Sequence, residues 1–132
     1  MSQQELFRFL EDRFACAQSC TECARACALC ASLVDPDGPA DQALARRKGI
    51  LCAEVCDATC RMLCEQGDQN ETALRVQLEW CSTVCLECAD ILDDQPGGET
   101  AAKACRESAQ ACADFSRALG TPEATAGGTG PR

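Results

Sequence analysis

The chain has 132 residues, a net charge of −9, 14 Cys, and neither His nor Tyr. That length makes one domain, and the acidic balance excludes a surface that grips phosphate backbones. The lack of His excludes Cys2His2 zinc fingers and the usual Cys–His and Ser–His–Asp hydrolases. With 12 Leu, 2 Ile, 4 Val and 4 Phe, the strong core formers are too few for so charged a chain. A folded interior must therefore draw on the 14 Cys and 22 Ala.

In chain order, Ser2-Gln-Gln-Glu5 is a capping box that opens a helix running to about Leu33, where Val34-Asp-Pro-Asp-Gly-Pro39 stops it. A second helix runs from about Ala40 to Gln66 and ends at Gly67. Asp68-Gln-Asn-Glu71 fits a further capping box, opening a third helix to about Asp93. Gln95-Pro-Gly-Gly98 breaks that one, and Glu99 to Leu119 forms the fourth. All four segments are rich in Ala, Leu, Glu, Arg and Gln and lack internal Pro, as helices require. The expected fold is all-α: an antiparallel up-down-up-down four-helix bundle with a Cys-lined core over residues 1–119, followed by a disordered tail over 120–132.

The first ten residues, Met1 to Leu10, hold no basic region followed by an apolar run, and no stretch approaches the 18 apolar residues of a membrane span. The expected compartment is the reducing cytoplasm, where 14 cysteines do not make a disulfide scaffold.

The cysteines sit at core spacing. Helix one carries Cys16, Cys20, Cys23, Cys27 and Cys30, spaced 4, 3, 4, 3, the alternation of a bundle-facing stripe. Helix two carries Cys52, Cys56, Cys60 and Cys64, spaced 4, 4, 4. Helix three carries Cys81, Cys85 and Cys88. Helix four carries Cys105 and Cys112, with Ser108 where a further thiol would continue the rhythm. Cys fills less volume than Leu, so 14 of them used only as hydrophobes would leave a poorly packed core. Cβ atoms at i and i+4 are about 5–6 Å apart, too far for a disulfide at roughly 3.5–4.5 Å. A metal ion with sulfur bonds of about 2.3 Å fits that gap.

Thiolates without imidazole select soft ions: Cu(I), zinc or iron–sulfur clusters. A mononuclear all-thiolate zinc site leaves excess negative charge in a core with no buried cation, and iron–sulfur loop motifs are absent. One Cu(I) per thiolate is neutral, so a copper–sulfur column is the least costly way to bury these groups.

Six C-x3-C pairs (16/20, 23/27, 52/56, 56/60, 60/64, 81/85) and three C-x2-C pairs (20/23, 27/30, 85/88), all within four helices, resemble the four-helix-bundle copper storage proteins, in particular their cytosolic branch without a signal peptide. The resemblance covers about residues 3–119. It implies a homotetramer of bundles, each storing many Cu(I) ions along its core, with all 14 cysteines from Cys16 to Cys112 as ligands; a copper chaperone or exporter is a candidate partner that the sequence does not identify. Members of the branch commonly carry His near an open end; this chain has none. The function expected is storage or buffering of Cu(I), not catalysis. The alternatives are a zinc- or cadmium-sequestering protein of metallothionein type and a thiol–disulfide redox protein. The redox reading needs an exposed low-pKa thiol at a helix N-terminus, whereas 20/23, 27/30 and 85/88 lie mid-helix or later.

The antiparallel register gathers Leu6, Phe9, Leu10, Leu74, Phe115 and Leu119 as a hydrocarbon plug at the end holding the N-terminus. It places the metal mouth at the other end, by turns 34–39 and 94–98, with Cys30 and Cys88 as first acceptors and Cys60 and Cys64 deep beside the plug. Met62 points away from the cysteine stripe and is not expected to ligate.

Overall fold

The computed structural model describes residues 2–65 and 70–119. Four helices occupy them: α1 Gln3–Ser32, α2 Ala40–Cys64, α3 Glu71–Asp93 and α4 Glu99–Leu119. The expected tail, 120–132, lies outside the described residues.

Each boundary has a local cause. Ser2 Oγ accepts from the Glu5 amide at 3.0 Å while Glu5 takes the Ser2 amide at 2.8 Å, completing the capping box of α1. After α1, Asp35 accepts from the Asp37 amide at 2.9 Å, an Asx turn ahead of Pro39, the N-cap of α2. The side chain of Arg13 in α1 crosses to the end of α2, its Nε donating to the Leu63 carbonyl at 2.6 Å and its Nη2 to Glu65 at 3.0 Å. A cation thus satisfies carbonyls that the helix leaves open at its negative pole. Helix α2 stops at Cys64, short of the expected Gln66. Asn70 caps α3, its Oδ1 accepting from the Ala73 amide at 3.0 Å; the expected capping box began at Asp68, which lies outside the described residues. Between α3 and α4, Gly97 has φ +76°, and a Cβ on Gly98 would sit 2.1 Å from the Leu92 carbonyl oxygen. Only Gly fits there.

α1 packs on α2 and α4, and α3 packs on the same two, so the four form a square with antiparallel neighbours. Along its axis the interior changes character twice. At the end holding the start of α1, Leu63, Leu74, Leu78, Phe115 and Leu119 are buried, and the Phe9 and Phe115 rings lie 5.3 Å apart. Burying each such Leu contributes about 2 kcal/mol. Leu6 and Leu10, expected in this plug, are exposed instead, because the first turns of α1 run past the other helices. At the opposite end Ala31, Ala45, Ala101 and Ala102 meet around one large side chain, Leu92. There α1 and α2 approach closely, since a Cβ on Gly49 would lie 3.3 Å from the Cys27 carbonyl oxygen and 3.4 Å from the Ala31 Cβ. Between the two ends the bore is lined with sulfur.

A candidate metal centre in the bore of the bundle

Eleven of the 14 cysteines are buried: Cys16, Cys20, Cys23, Cys27, Cys52, Cys56, Cys81, Cys85, Cys88, Cys105 and Cys112. All four helices contribute, because the 4, 3 alternation keeps successive thiols on the inner face. Nearest the plug, Cys112 lies 3.9 Å from Cys16 and 3.6 Å from Cys20. In the middle, Cys56 lies 3.8 Å from Cys81 and 3.5 Å from Cys85. Beyond it Cys23 reaches Cys52 at 3.7 Å and Cys105 at 3.6 Å, and Cys27 reaches Cys105 at 3.3 Å and Cys88 at 4.0 Å.

These separations decide what the bore can hold. All 14 cysteines are free, and sulfurs 3.3–4.0 Å apart are well beyond the roughly 2.05 Å of a disulfide. Metal–sulfur bonds of about 2.3 Å join sulfurs some 3.8 Å apart at a tetrahedral angle and some 4.6 Å apart when linear, so small adjustments admit an ion between neighbours. Three sets stand within 4.8 Å of one another: Cys23, Cys52, Cys56 and Cys85; Cys23, Cys27, Cys52 and Cys105; and Cys16, Cys20 and Cys112. The first two share Cys23 and Cys52, a geometry for bridged ions rather than isolated ones.

Ser108 interrupts the column as its position in α4 suggested. It is fully buried, with Oγ 3.7 Å from Cys20, 3.9 Å from Cys56 and 3.7 Å from Cys85. A neutral hydroxyl stands where three thiols converge.

Contact among the thiols also redistributes their protons. Hydrogen-bond contact with Cys112 and then Cys20 holds the Cys16 thiol down to about 5, and contact with Cys105, Cys23, Cys52 and Cys88 lowers Cys27. Their partners shift the other way: Cys52 is raised, by Cys105 first and then Cys23 and Cys27, and Cys112 is raised by Cys16, Cys20 and Cys81. A cation entering the bore must replace the protons that its thiols hold.

Three expected ligands stand apart. Cys60 is half-buried, 3.1 Å from the Thr21 hydroxyl, and Cys64 is exposed, so neither lies deep beside the plug. The reason is helical geometry. Four residues advance a helix by 400°, so each i+4 step drifts about 40° around the axis, and by the third and fourth thiol of α2 the stripe has turned out of the bore. Thr59 and Leu63, at the 4, 3, 4 continuation from Cys52, fill the inner positions instead, both fully buried. Thr59 donates to the Val55 carbonyl at 2.8 Å and accepts from the partly buried Gln77 at 3.0 Å, a polar pair with no sequence signal beyond its register. Cys30, in the last turn of α1, is half-buried, whereas Cys88, expected as a first acceptor at the mouth, is fully buried. Met62 is partly buried and lines a surface hollow with Ala58, Arg61 and Glu65, outside the thiol bore.

The copper storage protein family (Csp) matches residues 2–117 of this chain. Among solved structures, a cytosolic copper storage protein from Streptomyces lividans, captured during copper loading with five coppers, is 28% identical over 92% of this chain and 98% of its own, with a TM-score of 0.68. A histidine-to-alanine variant of the S. lividans protein Ccsp is 32% identical over 91% of this chain and 98% of its own, TM-score 0.60. Ccsp loaded with 10 copper equivalents is 31% identical over 85% and 80%, TM-score 0.51. No curated protein matches.

Proposed function

We propose, from the premise that this chain belongs to the copper storage protein family, that it holds many Cu(I) ions as a thiolate-bridged column and releases them on demand, acting as a store rather than an enzyme. The observation that carries this reading is the run of eleven buried thiols, each within 4.0 Å of another polar atom of the column. The ligands are those eleven, with Cys30, Cys60 and Cys64 outside the column. Cu(I) is favoured over zinc because shared thiolates at one ion each are neutral, whereas two four-thiolate zinc sites would leave uncompensated charge among Leu and Ala. A redox role is disfavoured because the C-x2-C pairs 20/23 and 85/88 are fully buried.

The compartment is the cytosol, as for the S. lividans relative, and no described helix is long and apolar enough to cross a membrane. A homotetramer, implied by the family resemblance, is supported by apolar side chains left uncovered on α3, where Val76, Trp80 and Leu86 are each about half exposed or more. A chaperone or exporter would exchange copper with the store.

Anaerobic titration of the reduced apo-protein with Cu(I) and, separately, Zn(II) against competing chelators tests the function. We expect about one Cu(I) per buried thiolate, undisplaced by zinc. Saturation at one or two ions per chain, or zinc binding that excludes copper, would overturn it.

A further inference from the structure

Copper must reach a bore whose two ends are both filled. Leu63, Leu74, Phe115 and Leu119 close one, and Ala45, Leu92, Ala101 and Ala102 the other, each no more than 4% exposed. No His stands at either end to pass an ion inward. The opening lies in the side wall. A cleft of about 340 Å³ runs between α1 and α4, lined by Asp12, Ala15, Cys16, Ser19, Ala111, Asp114, Phe115 and Ala118. Ala15, Ala111 and Ala118, three of the eight lining residues, keep its walls thin and leave room for an ion with small ligands. Its rim carries two exposed carboxylates, Asp12 and Asp114. Cys16 lines it from within and at the same time belongs to the column, touching Cys112 at 3.9 Å, which in turn touches Cys20 at 3.6 Å.

On the reading of the bore as a copper store, we propose that this α1–α4 cleft is the portal for Cu(I), with Asp12 and Asp114 drawing the cation in, Cys16 as first acceptor, and Cys112 and Cys20 as the next two ligands. Asp114 also accepts a hydrogen bond from Gln110 at 2.9 Å and is paired with Arg117. That pair is exposed on both sides and screened by water, so it only weakens the pull of the carboxylate. Each arrival is a ligand exchange without electron transfer. The Cu–S bond at Cys16 forms as the carrier ligand leaves the ion; the ion then passes to Cys112 as a second Cu–S bond forms, the Cys112 proton moves to the Cys16 sulfur and the first Cu–S bond breaks. Filling the column from the plug side inward follows from this order. Cys30, the half-buried thiol at the far end, is the rival acceptor, but it makes no thiol hydrogen bond to the column among the described residues.

Stopped-flow uptake by the reduced apo-protein, with Cu(I) supplied anaerobically as its acetonitrile complex, tests the portal. Ala111→Leu fills the cleft and should slow initial uptake by about tenfold, while the final copper count stays within about one ion of the wild type, since a packed core admits no detour on that timescale. Asp12→Asn with Asp114→Asn should slow uptake several-fold and flatten its dependence on ionic strength. This second variant leaves the packing alone and decides the question if Ala111→Leu fails a circular dichroism check of folding. Cys30→Ser should leave the initial rate unchanged. Wild-type rates in the folded cleft variants, or slowing by Cys30→Ser instead, would overturn the portal. A low final count in the unaltered protein would instead strike at the storage reading itself, so the two failures are distinct.

Discussion

Replacing Ser108 with Cys should turn two thiol groups into one. The Ser108 hydroxyl is fully buried, 3.7–3.9 Å from the sulfurs of Cys20, Cys56 and Cys85, so a thiol there would meet one partner from the Cys16–Cys20–Cys112 set and two from the central set. Nothing charged is displaced, and the added volume is only the difference between sulfur and oxygen. Overpacking of that size costs the apo-protein less than about 1.5 kcal/mol, within reach of the small shifts a thiol-lined bore allows. The gain lies in charge. A buried serine does not give up its proton to balance a bound cation, whereas a thiol does. Neutrality therefore predicts about one more Cu(I) per chain. Because the new sulfur bridges both sets, the last ions should bind in a single phase rather than two. Native mass spectrometry of the saturated, anaerobic protein counts the ions, chelator competition resolves the phases, and circular dichroism checks the fold. An unchanged copper count in a folded Ser108→Cys variant would refute the idea that thiolate number and contact set the capacity.

Iodoacetamide should alkylate the reduced apo-protein first at Cys64 and then at Cys60 and Cys30, with the ten buried thiols behind the Cys16 cleft protected; peptide mapping over time reads the order, and early modification of Cys23 or Cys52 would contradict the burial described above. Leu78→Ala, at a fully buried plug position, should destabilise the apo-protein by about 2–5 kcal/mol while leaving copper capacity intact, measured by urea unfolding before and after loading. Cys52 and Cys112 have folded pKa values raised above the ordinary thiol value, so their contribution to apo stability is complete below about pH 8.5 and is lost as pH rises and the unfolded chain ionises. The urea midpoint of the apo-protein should therefore fall between pH 8 and 10, and that of the copper-loaded protein should not.

How much could be read from the chain depended on whether the signal was local. The starts of α1 and α4 are set by Ser2, Glu5, Gly97 and Gly98, residues whose backbone chemistry acts within a few positions, and they emerge from the sequence nearly unaltered. The inward face of α1 and α3 is equally plain, because a 4, 3 alternation tracks one side of a helix. The 4, 4, 4 run in α2 is deceptive for the same physical reason in reverse. Each step looks like a neighbour on one face, yet the drift accumulates until Cys60 and Cys64 have left the bore and Thr59, a polar residue with nothing to mark it, has replaced them. The α1–α4 cleft is invisible in sequence altogether. Asp12 and Asp114 are a hundred positions apart and resemble any solvated carboxylate until packing brings them to the rim above Cys16.

Gly49 bears on the metal chemistry although it carries no ligand atom. Its missing methyl lets α2 settle against the Cys27 carbonyl at a distance that a Cβ would reduce to 3.3 Å, and the Cys27 sulfur in turn makes the shortest thiol–thiol contact given above, 3.3 Å to Cys105. The calibre of the column at its far end is thus gauged from outside, by the thickness of a neighbouring helix. A single hydrogen atom where other residues have carbon determines how tightly sulfur can close around an ion there.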